Sequence, residues 1–160
     1  MKILVLGSDG QLGKSLYDQL KNTDHDLIFF SRLDVDISDF DLMRKKMLSI
    51  KPDLTINAAA YTAVDKAQNE KKLAYLINSN AVEIIANICK ELNTWLLHIS
   101  TDYVFDGSYK GAYKETCEPN PKCVYGASKL SGEHAIQSSG CRYIIIRTSW
   151  VFSEYGNNFL

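Results

Sequence analysis

The chain has 160 residues, 46% of them hydrophobic and 23% charged, with a formal net charge of −1. Such a length and balance describe one globular domain with a proper core and exclude disordered and fibrous classes. Lys and Arg are scattered rather than striped, so neither nucleic acid nor an anionic membrane is the expected partner, and small-molecule chemistry is.

In chain order, the first apolar run, Ile3 to Leu6, is cut by Gly7 and is too short for a signal peptide. No later run reaches the length needed to cross a bilayer, and a cytoplasmic, membrane-free protein is expected. Strand-like runs recur as "KILVLG" at 2–7, "DLIFF" at 26–30, "DLTIN" at 53–57, "WLLHIS" at 95–100 and "YIIIRT" at 143–148. They are largely continuous rather than alternating, as in strands buried on both faces of a parallel sheet. Helical spacing lies between them: Leu12, Leu16 and Leu20; Phe40, Met43 and Met47; Ala81, Ile84, Ile85 and Ile88. The alternation predicts an α/β fold, a doubly wound Rossmann-type parallel sheet with helices on both faces. Residues 101–124 are long for a structureless connection, which marks a functional loop beside the strand ends. Cys89, Cys117, Cys123 and Cys141 form no C-x-x-C pair and have no His at metal spacing, so reduced thiols and no metal site are expected. His25, His98 and His134 form no local cluster and read as structural or surface residues.

Three stretches carry chemistry. The first strand runs into "GSDGQLGKSL", with Gly7, Gly10 and Gly13 in a G-x-x-G-x-x-G pattern and helical spacing directly after. That placement suits a tight turn, close backbone approach to a diphosphate, and a helix start aimed at the anion. At the end of the second strand stand Ser31 and Arg32, where an acidic residue would favour a ribose 2′-hydroxyl. The pair favours NADPH over NADH, while Asp34 nearby weakens that preference. In "CVYGASKLSGEHA", Tyr125 precedes Lys129 by four residues, one face of a helix. A surface helix with incidental Tyr and Lys fits this spacing. So does an acid–base pair in which the ammonium lowers a phenol pKa from its ordinary value near ~10.

Taken in order, Gly7-x-x-Gly10-x-x-Gly13, "NAAA" at 57–60, "STD" at 100–102 and Tyr125-x-x-x-Lys129 resemble the extended short-chain dehydrogenase/reductase superfamily. The strings "NAAAYTAVDKAQ", "HISTDYVFDG", "VYGASKLSGE", "RTSWVF" and "GNNF" are similar to the dTDP-4-dehydrorhamnose reductase family, over essentially the whole chain. Gln68 departs from the family's usual acidic residue, a change in local charge rather than in chemistry. The resemblance implies that Gly7, Gly10, Gln11, Leu12 and Gly13 form a diphosphate-binding turn. It places Asp36 and Ile37 at the adenine side, and Ala58, Ala59 and Ala60 along the nicotinamide half. Tyr125 and Lys129 match the catalytic pair and Thr101 the third catalytic hydroxyl. Val64, Asp102, Tyr103 and Trp150 match positions beside a sugar nucleotide.

The implied reaction is NAD(P)H-dependent reduction of the C4 ketone of dTDP-4-dehydro-L-rhamnose. Tyr125 would supply the proton, Lys129 would favour the phenolate and hold the nicotinamide ribose, and Thr101 would hydrogen-bond the ketone oxygen. Ser128, inside the motif, reads as packing. Against the family pattern, residues 1–160 correspond to a dinucleotide-binding domain, with a C-terminal substrate domain expected to be missing, so the isolated chain is expected to bind dinucleotide but turn over substrate poorly. The run "YIIIRTSWVF" would then leave an exposed apolar edge, inviting self-association as a homo-oligomer. Two other readings stay open on sequence alone: a non-catalytic dinucleotide-binding regulatory module, and another sugar-nucleotide epimerase or dehydratase of the extended family.

Overall fold

Five apolar runs become five parallel strands in the computed structural model, which describes residues 1–156: β1 Lys2–Leu6, β2 Asp26–Phe30, β3 Leu54–Asn57, β4 Trp95–Thr101 and β5 Arg142–Thr148. Asn157, Asn158 and Phe159 of the last motif lie outside the described residues. The strand order is β2-β1-β3-β4-β5, and every pairing is parallel. Winding therefore reverses between β1 and β3, and the crevice at the carboxyl ends of those two strands is where open α/β sheets take ligands.

The helices are α1 Gln11–Leu20, α2 Phe40–Ile50, α3 Lys71–Tyr75, α4 Ala81–Glu91 and α5 Val124–Ser139. The larger core lies on one face of the sheet, where Met43 and Met47 of α2, Ile85 and Ile88 of α4 and Ile136 of α5 meet Leu4, Leu6 and Leu96. Each of those side chains is fully buried, worth roughly 1.5–3 kcal/mol apiece in apolar transfer. On the other face Leu16 of α1 packs on Ile3, Val5 and Ile56.

Burial is uneven, a correction to the expectation of five strands buried on both sides. The inner strands β1 and β3 are covered, whereas β2 and β5 are edges, with Ile144 and Ile146 of β5 and Trp95 of β4 exposed. The apolar edge expected from the "YIIIRTSWVF" run is therefore present.

Residues 61–80 hold elements that apolar spacing did not reveal: a 3₁₀ turn at Lys66–Gln68, α3, and a π turn at Leu76–Asn80 running directly into α4. Buried positions run Ala67, Ala74, Asn78, Ala81 and Val82, with Ala74, Asn78 and Val82 four apart around the π turn and Asn78 polar. The π turn absorbs the drift between that spacing and the helical period.

The connection after β4 contains a 3₁₀ turn at Asp102–Val104 and no further helix or strand before α5. Asp106 organises it, accepting from Ser108 N–H at 2.9 Å, the Tyr113 hydroxyl at 3.1 Å and Asn120 Nδ2 at 3.0 Å. Phe105 stacks on Tyr113 with ring centroids 4.3 Å apart.

Candidate active site

A cavity of about 900 Å³ opens over the carboxyl ends of β1, β3 and β4, at the point where the winding reverses. Gly7, Gly10, Gln11 and Leu12 form one wall; Arg32, Asp36 and Ile37 stand at one end. Ala58, Ala59, Ala60 and Val64 line it after β3, and Thr101, Asp102, Tyr103, Tyr125, Lys129 and Trp150 close it. A smaller cavity of about 360 Å³ lies at the opposite ends of the strands, by Met1, Pro52, Thr94 and Arg142, and gathers none of the candidate residues.

The glycine turn divides its labour. Gly7 takes φ +84°, and a Cβ there would lie 2.7 Å from Ala59 N, so β1 and β3 approach closely enough to exclude any side chain. Gly7 and Ser8 N–H groups both donate to Phe30 O, at 2.9 and 3.0 Å, which ties the turn to β2. Gly13 packs α1 on the turn: its Cβ would sit 2.3 Å from Gly7 O. Gly10, the N-cap of α1, is different, for a Cβ there meets only Gly7 O at 3.4 Å, an ordinary contact. The first turn of α1 carries no acidic side chain, which keeps the helix's positive end suited to an anion.

Arg32 lines the cavity, largely exposed, with Nε 2.9 Å from Asp36 Oδ2. Asp36 also accepts from the Ser38 hydroxyl at 2.7 Å, the main reason its carboxyl lies below the usual carboxylate range. Ser31 stands outside the cavity lining, and its hydroxyl and N–H both donate to Asp34 Oδ2, at 2.6 and 2.8 Å. Asp34 competes successfully for it because a short loop brings the carboxylate back on itself.

Helix α5 starts at Val124, with Cys123 Sγ accepting from Gly126 N–H at 3.4 Å, and so presents Tyr125 and Lys129 one turn apart. Tyr125 packs edge-on against Tyr103, centroids 5.6 Å apart, with the Thr101 hydroxyl nearby. Its pKa is raised, chiefly by burial, with the nearby Thr101 hydroxyl pulling the other way. The lowering expected from Lys129 is thus not seen in this arrangement, where burial raises the phenol. Lys129 Nζ instead donates to Ile99 O at 2.7 Å and lies 3.3 Å from His98 Nε2. Burial pushes Lys129 down to about 8, with Glu133 opposing. Thr101 ends β4, donating to Asp102 Oδ1 at 3.2 Å and accepting from Tyr103 N–H at 3.2 Å. The other Asp102 oxygen accepts from Ser149 at 2.7 Å. Trp150, at φ +53°, sits exposed at the cavity mouth.

Sequence reasoning missed the residues beneath this surface. Asn78, in the π turn, accepts from Tyr61 N–H at 2.9 Å and donates to Tyr61 O at 3.1 Å and to Ser128 Oγ at 3.0 Å. Ser128 passes the link to Tyr125 O at 2.7 Å, so its packing role includes fixing the wall at Tyr61 to the helix that carries Tyr125. Glu133, fully buried, holds Arg147 in a bidentate pair, Nη2 to Oε2 at 2.6 Å and Nε to Oε1 at 3.0 Å. That pair clamps α5 to β5. Among the described residues no helix is long and apolar enough to cross a membrane, no cluster of metal-ligating side chains occurs, and all four cysteines are unpaired.

Comparison with known proteins matches residues 1–160 to the family described as the RmlD substrate binding domain. The dTDP-4-dehydrorhamnose reductase of Aggregatibacter actinomycetemcomitans is 44% identical over 160 residues, 99% of this chain and 54% of that protein. The crystal structure of dTDP-4-dehydrorhamnose reductase from Bacillus anthracis str. Ames in complex with NADP superposes with a TM-score of 0.96 at 38% identity, covering 99% of this chain and 56% of that one. The dTDP-4-dehydrorhamnose reductase ortholog from Clostridium acetobutylicum gives the same TM-score of 0.96 at 40% identity, covering 99% of this chain and 56% of that one. The chain spans about half the length of the curated relatives it matches. With every residue matched, the chain belongs to the RmlD substrate binding domain family and is similar to its dTDP-4-dehydrorhamnose reductases.

Proposed function

We propose that this chain carries the dinucleotide-binding and catalytic part of a cytoplasmic NAD(P)H-dependent reductase that converts dTDP-4-dehydro-L-rhamnose to dTDP-L-rhamnose. NADPH is the favoured cofactor and NADH the alternate. The observation that carries this reading is the meeting of Thr101, Tyr125 and Lys129 on one side of a cavity whose other side is the glycine turn. The cradle suits a dinucleotide: Gly10 leaves room that a side chain would fill, and the first turn of α1 carries no acidic side chain, although Asp9 lines the cavity just before it. Gly7, Gly10, Gln11 and Leu12 hold the diphosphate, Arg32, Asp36 and Ile37 the adenosine end, and Ala58, Ala59 and Ala60 the nicotinamide half.

When bound, the reduced nicotinamide supplies the hydride for C4. Tyr125, kept protonated by burial, gives its phenolic proton to the ketone oxygen as negative charge develops there. Thr101 turns its hydroxyl from Asp102 toward that oxygen, and Lys129 as ammonium favours the phenolate left behind. Val64, Asp102, Tyr103 and Trp150 orient the sugar nucleotide. The apolar edge at Ile144 and Ile146 supports self-association as a homo-oligomer.

The test is titration of the full chain with NADPH and NADH, in wild type and Arg32→Ala. A guanidinium–phosphate contact is worth about 1.5–3 kcal/mol, so wild type should prefer NADPH by about 10- to 100-fold and Arg32→Ala should erase the preference. Saturable binding of neither nucleotide would sink the reading.

A further inference from the structure

Beneath the catalytic wall runs a buried chain of polar groups that the reaction as described does not use. Asn57 ends β3 and His98 lies in β4, and the two are register partners across the parallel ladder, so their side chains share the face toward α5. Both are fully buried. Asn57 Oδ1 accepts from Ala59 N–H at 3.2 Å, which turns the amide so that Nδ2 points to His98 Nδ1 at 3.2 Å. An amide NH₂ only donates, so His98 Nδ1 must be the acceptor. Burial, and secondarily Lys129, keep the imidazole neutral. A neutral ring that accepts at Nδ1 carries its proton on Nε2, and Nε2 is the atom 3.3 Å from Lys129 Nζ. An N–H facing an amine nitrogen makes a hydrogen bond only to its lone pair. An ammonium has none.

We propose that Asn57 and His98 are positioning residues that set the charge of Lys129: by fixing the Nε2–H tautomer they favour its amine form and oppose its ammonium form. The groups that face Lys129 define the contest. Glu133, from α5 itself, favours the charged form but is already engaged by Arg147 of β5. Ile99 O of β4 accepts from the Nζ in either form. Tyr125, one turn earlier on α5, is protonated. His98 on β4, held by Asn57 on β3, is therefore the neutral group whose orientation decides the balance. Since Lys129 acts on the phenolate only when charged, the couple fixes the pH above which that help is lost. This consequence for turnover rests on the reductase reading; the tautomer does not.

The test uses nitrogen-15-labelled full chain without dinucleotide. Long-range proton–nitrogen correlation of the His98 ring should report hydrogen on Nε2 and a bare Nδ1. Labelled-lysine NMR titration should show His98→Leu, which changes no charge, raising the proton affinity of Lys129 by about three- to tenfold through loss of one opposing donor. A ring protonated on Nδ1 would overturn the proposal. So would an unchanged or lowered Lys129 proton affinity in His98→Leu, because loss of an acceptor for the ammonium lowers it. Where that variant does not fold, the wild-type tautomer decides alone. Both readouts are independent of cofactor, so a chain that turns over NADPH yet shows the other tautomer refutes this inference and leaves the reductase reading intact.

Discussion

Gly10 and Gly13 stand three residues apart in one turn, yet adding a methyl group to each should do opposite things. At Gly13 the new Cβ would lie 2.3 Å from Gly7 O and 2.6 Å from Ser8 Cα, about 1 Å short of ordinary contact, and both neighbours are backbone. Nothing there can rotate away, so α1 must shift off the turn. Overpacking of this kind costs about 1–3 kcal/mol, and the better helix propensity of Ala returns at most about 1 kcal/mol. Gly13→Ala should therefore lose about 2 kcal/mol of stability, visible as a lower midpoint in urea. At Gly10, with φ −74° and a nearest contact of 3.4 Å, the methyl group is tolerated by the chain, and stability should change by less than about 1 kcal/mol. What it would occupy is the cavity at the start of α1. Losing one or two charge-assisted backbone bonds to a diphosphate, at about 1.5–3 kcal/mol each, should weaken NADPH binding by at least about tenfold. Denaturation paired with fluorescence titration separates the two effects. A Gly10→Ala protein that binds NADPH like wild type would refute the assignment of this turn to a diphosphate.

Other residues give independent checks. Arg147→Met leaves the buried Glu133 carboxylate without its bidentate partner and should cost about 3–5 kcal/mol, with the Glu133→Gln/Arg147→Met double variant recovering a large part; strictly additive losses in urea melts would contradict the pairing. Asn78→Leu should strand Tyr61 N–H and cost about 1–3 kcal/mol, with hydrogen exchange at Tyr61 accelerated well beyond the change in global stability; uniform acceleration would argue against a local tie. Tyr125, raised by burial, should titrate above the ordinary tyrosine value in the free chain; followed by the labelled ring carbon, a value below the ordinary one would place a positive charge closer than the structure has it. For Lys129, lowered to about 8 while the unfolded side chain keeps its ordinary value, the unfolded state holds the extra proton between those limits. Stability relative to Lys129→Met should therefore rise from about pH 8 to about pH 10.5, by on the order of 3 kcal/mol, and a flat difference in melts across that window would remove the lysine from the interior.

The strands and helix α5 were legible because their signals are local. Continuous apolar runs mark β1, β3 and β4, the glycine spacing marks the turn after β1, and four-residue spacing puts Tyr125 and Lys129 on one face. What escaped depends on partners distant in the chain. Asn57 and His98 are 41 residues apart and meet only because β3 and β4 pair in that register. Asn78 stayed hidden because a polar residue occupies a buried site in a segment whose π turn breaks the helical period. The phenol's pKa is raised because burial, which spacing does not report, dominates it, while Lys129 donates to Ile99 O. Ser31 likewise reads as a ligand position until Asp34 folds back onto it.

Transfer of hydride to C4 is the central claim, and isotope transfer tests it most directly. The full chain is given dTDP-4-dehydro-L-rhamnose and NADPH carrying deuterium at the transferable position, and the product is read by NMR alongside oxidised cofactor. The account predicts one deuterium at C4 for each NADPH consumed, with Tyr125→Phe slowing the reaction by about 10²–10⁴-fold. An epimerised sugar with no net cofactor oxidation would contradict it.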